Sequence, residues 1–118
     1  MIILDYSSMG ITMHKGDTGS VEYQLGGDEL ESTDRVLWTM KDRNGVVVKQ
    51  AIITPDDGAF DVTFANSDTD SIAPGDYFYD IRVISNPTYD SGKITDGDAV
   101  TTLMNPARVK VMNVIGDV

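Results

Sequence analysis

Asp68-Thr69-Asp70-Ser71-Ile72-Ala73-Pro74-Gly75-Asp76-Tyr77-Phe78-Tyr79-Asp80-Ile81-Arg82-Val83 is the stretch on which the fold turns. A polar run ends at Pro74-Gly75, the pair expected at the centre of a type II turn, where proline presets φ and glycine accepts a positive one. Beyond it the side chains alternate. Tyr77, Tyr79, Ile81 and Val83 face one way, and Phe78, Asp80 and Arg82 the other, which is the period of a strand that buries one face. A core strand entered through a tight corner predicts a β-sandwich.

The rest of the chain agrees. Turn pairs recur at Gly16-Asp17, Gly26-Gly27, Asn44-Gly45, Asp57-Gly58, Pro74-Gly75, Ser91-Gly92 and Asp96-Gly97, with short runs rich in Val, Ile, Thr, Tyr and Phe between them. Strands are expected at Ile2 to Tyr6, Ile11 to His14, Ser20 to Leu25, Arg35 to Lys41, Val46 to Ile53, Ala59 to Ala65, Tyr77 to Ile84, Ala99 to Met104 and Arg108 to Ile115. Asn44-Gly45 predicts a two-residue type I′ hairpin turn. Asp28 to Asp34 reads as a short helical turn, and Asn86 to Gly97 as a polar loop or hairpin tip. Residues 1–8 form an N-terminal arm or first strand, and residues 9–118 a single all-β domain, a sandwich of about 7–9 strands.

Composition narrows the chemistry. With 118 residues the chain is long enough to close a core, and without cysteine it has no disulfide, thiol nucleophile or thiolate metal site. A net charge of −10 and nine basic residues scattered singly along the sequence argue against a nucleic-acid partner, which needs clustered Lys and Arg. No window approaches a membrane span, and Met1 to Ser8 lacks the basic start of a signal peptide. Synthesis and function in the cytoplasm, or in a particle assembled there, are expected.

Trp38 adds detail to the sandwich. In immunoglobulin-like domains a core tryptophan on the third strand packs between residues of the second and sixth strands, and a tyrosine corner precedes the sixth. Tyr23, Trp38 and the Gly75-Asp76-Tyr77-Phe78-Tyr79 run resemble that arrangement. Tyr77 is then the corner, and Tyr23 and Tyr79 occupy the positions where a disulfide would cross the core. Their burial would contribute about 2–3 kcal/mol each. The structural core is expected to contain Tyr23, Trp38, Phe60, Phe64, Tyr77, Tyr79 and Ile81.

Nothing in the sequence assembles a catalytic centre. His14 is the one histidine, no Gly-x-Ser-x-Gly elbow accompanies it, and a surface or hairpin-end position is its simplest role. Asp56-Asp57 reads as a turn before Gly58. Asn66-x-Asp68-x-Asp70 alternates oxygen ligands like a calcium loop, yet lacks its sixth-place glycine and has Tyr77 where the closing glutamate belongs. A polar loop capping the corner is the plainer reading. No catalytic, cofactor-binding or metal-binding residue is assigned, and no cofactor is expected.

Lys15-Gly16-Asp17-Thr18-Gly19, Trp38-Thr39-Met40-Lys41-Asp42-x-x-Gly45-x-Val47-Val48, Asp57-Gly58-x-Phe60 and Asp68-Thr69-x-x-Ile72-x-Pro74-Gly75-x-Tyr77-x-Tyr79-Asp80-Ile81 follow one another in order. Together they resemble the N-terminal immunoglobulin-like domain of baseplate upper proteins from phages of Gram-positive bacteria. The likeness spans residues 9 to 85, roughly two-thirds of the chain. It implies a non-enzymatic virion structural protein of the tail, baseplate or head–tail junction that docks other virion proteins and forms a homo-oligomer. Proteins of that family usually continue into further domains, whereas this sequence ends at Val118, so a free-standing accessory protein is also expected. Ile2, Ile3, Leu4 and Tyr6 form an apolar segment able to add a strand to a neighbouring sheet, or to serve as the first strand of its own. A carbohydrate- or cell-surface-binding module is the alternative, with Tyr6, Phe78 and Tyr89 as the aromatic platforms.

Overall fold

Alternation of β-branched and aromatic residues with polar ones produces strands throughout the part of the chain that the computed structural model describes, residues 1–24, 33–56, 58–104 and 106–113. The strands are β1 (Ile3–Asp5), β2 (Gly10–His14), β3 (Gly19–Gln24), β4 (Asp34–Lys41), β5 (Val47–Ile53), β6 (Ala59–Phe64), β7 (Gly75–Ser85), β8 (Thr88–Asp90), β9 (Lys93–Asp96), β10 (Ala99–Thr102) and β11 (Ala107–Met112). One helical turn, α1 (Asn66–Asp70), joins β6 to β7. The end of the expected Ser20 to Leu25 strand, residues 28–32 of the expected Asp28 to Asp34 helical turn, Asp57 and the end of the expected Arg108 to Ile115 strand lie outside the described residues.

Seven strands form one sheet in the order β1-β2-β11-β7-β4-β5, with β10 also pairing with β7. The antiparallel β3–β6 pair, whose strands are separated in sequence by β4 and β5, covers one face of it, and β8–β9 forms a separate two-stranded ribbon. Strand β7 is long enough for β11 to occupy Gly75–Tyr79 and β10 to occupy Arg82–Ser85 along a single edge. Most pairings are antiparallel, but β2 and β11 run parallel. Such neighbours cannot be joined by a tight turn, so the chain crosses between the layers before β11 closes beside β2.

The two layers meet through the alternate residues. Val36, Trp38, Met40, Tyr77, Tyr79, Ile81, Val109 and Val111 from the large sheet pack against Val21, Tyr23, Phe60, Val62 and Phe64 from the small one. The protein is an all-β, sandwich-like fold.

Three local expectations are corrected. Gly75 has φ 152°, far from the +80° of a type II turn, and already pairs with Val111 as the first residue of β7. At the β4–β5 hairpin, Gly45 N–H donates to the Asp42 carbonyl at 3.0 Å and only Gly45 has positive φ, at 80°. This is a three-residue loop with a bulge rather than a type I′ turn. The Asp42 carboxylate selects it by accepting Asn44 N–H at 2.8 Å and Val46 N–H at 3.0 Å. Asn66–Asp70, expected as a plain polar loop, is a helical turn. Asp68 accepts Ala65 N–H at 2.9 Å, and the fully buried Thr69 donates its hydroxyl to the Asp17 carbonyl at 2.7 Å. The strand count also exceeds expectation, because the polar segment after β7 forms the β8–β9 ribbon. Gly97 permits its return: a Cβ there would lie 2.4 Å from Ile84 Cγ2.

Candidate functional site

The aromatic residues of β3, β4 and β7 converge on a buried chain of polar atoms. Trp38 Nε1–H donates to Tyr23 Oη at 3.3 Å, and Tyr23 Oη–H donates to Tyr79 Oη at 3.0 Å. Tyr79 Oη–H completes the chain at the Met9 carbonyl. Tyr79 stacks on Trp38 with centroids 5.0 Å apart, Tyr23 stacks on Phe60 at 5.0 Å, and Trp38 meets Phe64 edge-on at 5.6 Å. Among the described residues every buried side-chain nitrogen and oxygen has a hydrogen-bond partner, which is the condition for burying it without penalty. Burial pushes both phenols above the ordinary tyrosine range, and for Tyr79 the Tyr23 hydroxyl adds to the effect. Both are therefore protonated at neutral pH. They are hydrogen-bonding struts and do not supply a base.

Phe60, Phe64, Tyr77 and Ile81 line the same core. Tyr77 also donates its hydroxyl to the Ala73 carbonyl four residues upstream, tying the entry of β7 to its own corner. The N-terminal apolar segment lies along the sheet edge. Strand β1 pairs with β2, Ile2 and Leu4 pack against the core, and Ile3 and Tyr6 remain exposed.

Above the polar chain lies a half-open hollow of about 600 Å³, lined by Tyr6, Met9, Glu22, Tyr23, Gln24, Ile81, Leu103 and Met104. Tyr6 fixes one wall by donating its hydroxyl to the Glu22 carbonyl at 2.9 Å. Met9 fixes another. Its φ of 61° is left-handed, and it is held there by donation of its N–H to the Asp5 carbonyl at 2.7 Å and by the Tyr79 hydroxyl. A side chain with a Cβ costs about 1–2 kcal/mol in that conformation. The hollow is large enough for a small ligand or a partner's side chain. Among its described lining residues Glu22 is the one carboxylate, with no imidazole or amine to form an acid–base pair.

The residues considered for chemistry in the sequence do not converge. His14 Nδ1 lies 3.7 Å from Asp17 Oδ2, a loose contact across a turn. Asp68 holds the Ala65 N–H and faces Lys49 Nζ at 3.4 Å, which accounts for its carboxylate in the α1 turn. Among the described residues no group of three or more His, Asp or Glu side chains is placed to hold a metal ion, and no helix is long and apolar enough to cross a membrane. The sequence reading missed Met9, Leu103 and Met104 as lining residues. Met9 stands just before β2, and Leu103 and Met104 just after β10, so no strand alternation marks them.

Comparisons with family models, with curated proteins and with solved structures return no match.

Proposed function

We propose that this chain is a non-enzymatic structural protein of a phage or prophage virion, an assembly or docking module of the tail, baseplate or head–tail junction. The observation that carries the reading is the Tyr23–Trp38–Tyr79 core beside the Tyr77 corner. Trp38, Tyr77 and Tyr79 belong to the motifs that resemble baseplate upper proteins, and their packing in the core supports a scaffolding role. An immunoglobulin-like topology fits the same data. β11-β7-β4-β5 takes the part of the sheet built on the third and sixth strands, and β3-β6 takes that of the facing layer. The Tyr23–Tyr79 hydrogen bond then stands where a disulfide joins the layers in secreted relatives of that fold, an arrangement that suits assembly in a host cytoplasm.

Purified particles from an induced lysate test the proposal by quantitative mass spectrometry. Peptides of this chain should appear at a fixed ratio to the tail or connector proteins. Abundant protein in the lysate but none in the particles would overturn it.

One observation favours a second reading, a carbohydrate-binding module. Tyr6 is 67% exposed at the rim of the hollow, beside Glu22 and Gln24, so an aromatic platform adjoins hydrogen-bonding groups. Phe78 and Tyr89 lie on other elements. Glycan-array binding lost in Tyr6→Ala and kept in Tyr89→Ala would favour this reading.

A further inference from the structure

Strands β4, β7 and β11 turn their second face to solvent, and register decides what gathers there. Lys41 on β4 and Arg108 on β11 both stand opposite Phe78 on β7, so an exposed aromatic ring sits between two cations. Lys110 is opposite Asp76, Leu37 is opposite Arg82, and Arg35 is opposite Ile84. Four exposed cationic side chains (Lys41, Arg82, Arg108, Lys110) thus share this face with two carboxylates, Asp76 and Asp80, the latter 4.0 Å from Arg82. These residues sum to +2 in a chain whose net charge is −10.

The opposite side of the sandwich is the solvent face of β3–β6, and it has the reverse character. Glu22 and Asp61 are direct cross-strand partners and both are exposed. Beside them Ser20 and Thr63 hydroxyls meet at 3.1 Å. Like charges directly opposite on a sheet destabilise the pairing, and a cation laid across them would relieve that cost. The chain's own cationic face cannot reach them, because the two lie on opposite sides of the core.

We infer that the Lys41–Phe78–Arg108 face docks on the Glu22–Asp61 face of a second copy of this chain. The inference rests on the assembly reading above and names its partner. Such a contact is heterologous, so repetition closes a ring or extends a stack. Phe78 supplies the apolar contact at its centre, and the flanking charges set register. The overall negative charge is screened beyond about 8 Å in physiological salt, whereas apposed pairs are not. A polynucleotide fits less well, since Asp76 and Asp80 interrupt the cationic row.

The test is a charge exchange followed by sedimentation velocity. Wild-type protein should self-associate with rising concentration. K41E/R108E should sediment as a monomer, and so should E22K/D61K, each weakened by more than about tenfold. An equimolar mixture of the two should associate again, because each then offers the face that the other lacks. That recovery also shows both variants are folded. K15E/K93E, which changes net charge by the same amount as K41E/R108E but away from the face, should behave as wild type. A monomeric wild type at high concentration, unchanged association in K41E/R108E, or no recovery on mixing would overturn the inference. So would binding of a labelled oligonucleotide that only K41E/R108E loses. A monomeric wild type that is still found in purified particles would overturn this interface and leave the assembly reading standing.

Discussion

The two faces of β4, β7 and β11 follow different rules, although they alternate along the same residues. On the inner face Trp38, Tyr79 and Val109 are almost wholly buried; all three are held by shape, and Trp38 and Tyr79 also by hydrogen bonds that admit few substitutes. On the outer face Lys41, Phe78 and Arg108 are exposed and are neighbours only because of strand register. The inner face makes the fold, and the outer face is free to be chosen for what it meets. Substitutions should therefore separate cleanly, with inner changes costing stability and outer ones changing association.

The largest effect is expected at Trp38. Trp38→Ala removes the ring that stacks on Tyr79 and meets Phe64, and it leaves a cavity where the two layers touch. A loss of about 3–5 kcal/mol is expected in denaturant unfolding. A loss below about 1 kcal/mol would mean that the inner face tolerates change as the outer one does, and the contrast would fail.

Tyr79→Phe is gentler and more specific. The ring stays, but the Tyr23 hydroxyl loses its acceptor and the Met9 carbonyl its donor, at a cost of about 1–3 kcal/mol. The same variant should change the response to alkali. Both phenols have folded values raised above 10.0 by burial. Their contribution is complete below that value, where they are protonated in folded and unfolded chains alike. It is lost as pH rises and the unfolded phenols ionise first. Wild-type stability should thus fall as pH rises through about 10 and keep falling above it, and Tyr79→Phe should flatten the fall. Equal slopes would show that these two groups do not govern it.

The same contrast explains what could be read from the sequence. Tyr23, Trp38 and Tyr79 were legible because a period of two, next to strong turn residues, fixes which side chains point inward. The α1 turn was not. Asn66-Ser67-Asp68-Thr69-Asp70 has little helical preference of its own, and the turn is held by partners distant in sequence. Asn66 reaches the Gly16 carbonyl at 2.7 Å and Thr69 the Asp17 carbonyl at 2.7 Å. The hollow was equally hidden, because its wall depends on a methionine in a left-handed conformation that no local pattern announces. The basic residues looked scattered because alternation tells which side of a strand a lysine takes, but not which strand lies beside it.

Asp68 sits between the two regimes, half-buried and tied to backbone. The Ala65 N–H holds its carboxyl below the ordinary 3.8, with Lys49 adding to the effect and partial burial opposing it. Its stabilisation is present above that value and disappears as pH falls through the lowered one. Asp68→Asn should lose a little stability at neutral pH and show a weaker acid dependence below pH 3.8. An unchanged acid profile would assign the acid response to other carboxylates.

The smallest expected effect on stability is at Phe78, which makes it the sharpest probe of the comparison. Phe78→Thr keeps a strand-forming residue at an exposed site and should shift unfolding by only about 0.5 kcal/mol. On the inner face of the same strand, truncating Tyr79 to threonine would cost several times more, since its ring fills the space between Trp38 and Tyr23. Phe78→Thr should still weaken self-association, because the ring is the apolar centre of a contact whose rim is charged. If it destabilises the monomer as strongly as an inner substitution, Phe78 belongs to the fold and the face has no freedom to spare. If it changes neither stability nor association, the face is ordinary solvated surface. Loss of association at unchanged stability is the one result that a docking face requires and a merely structural residue would not give.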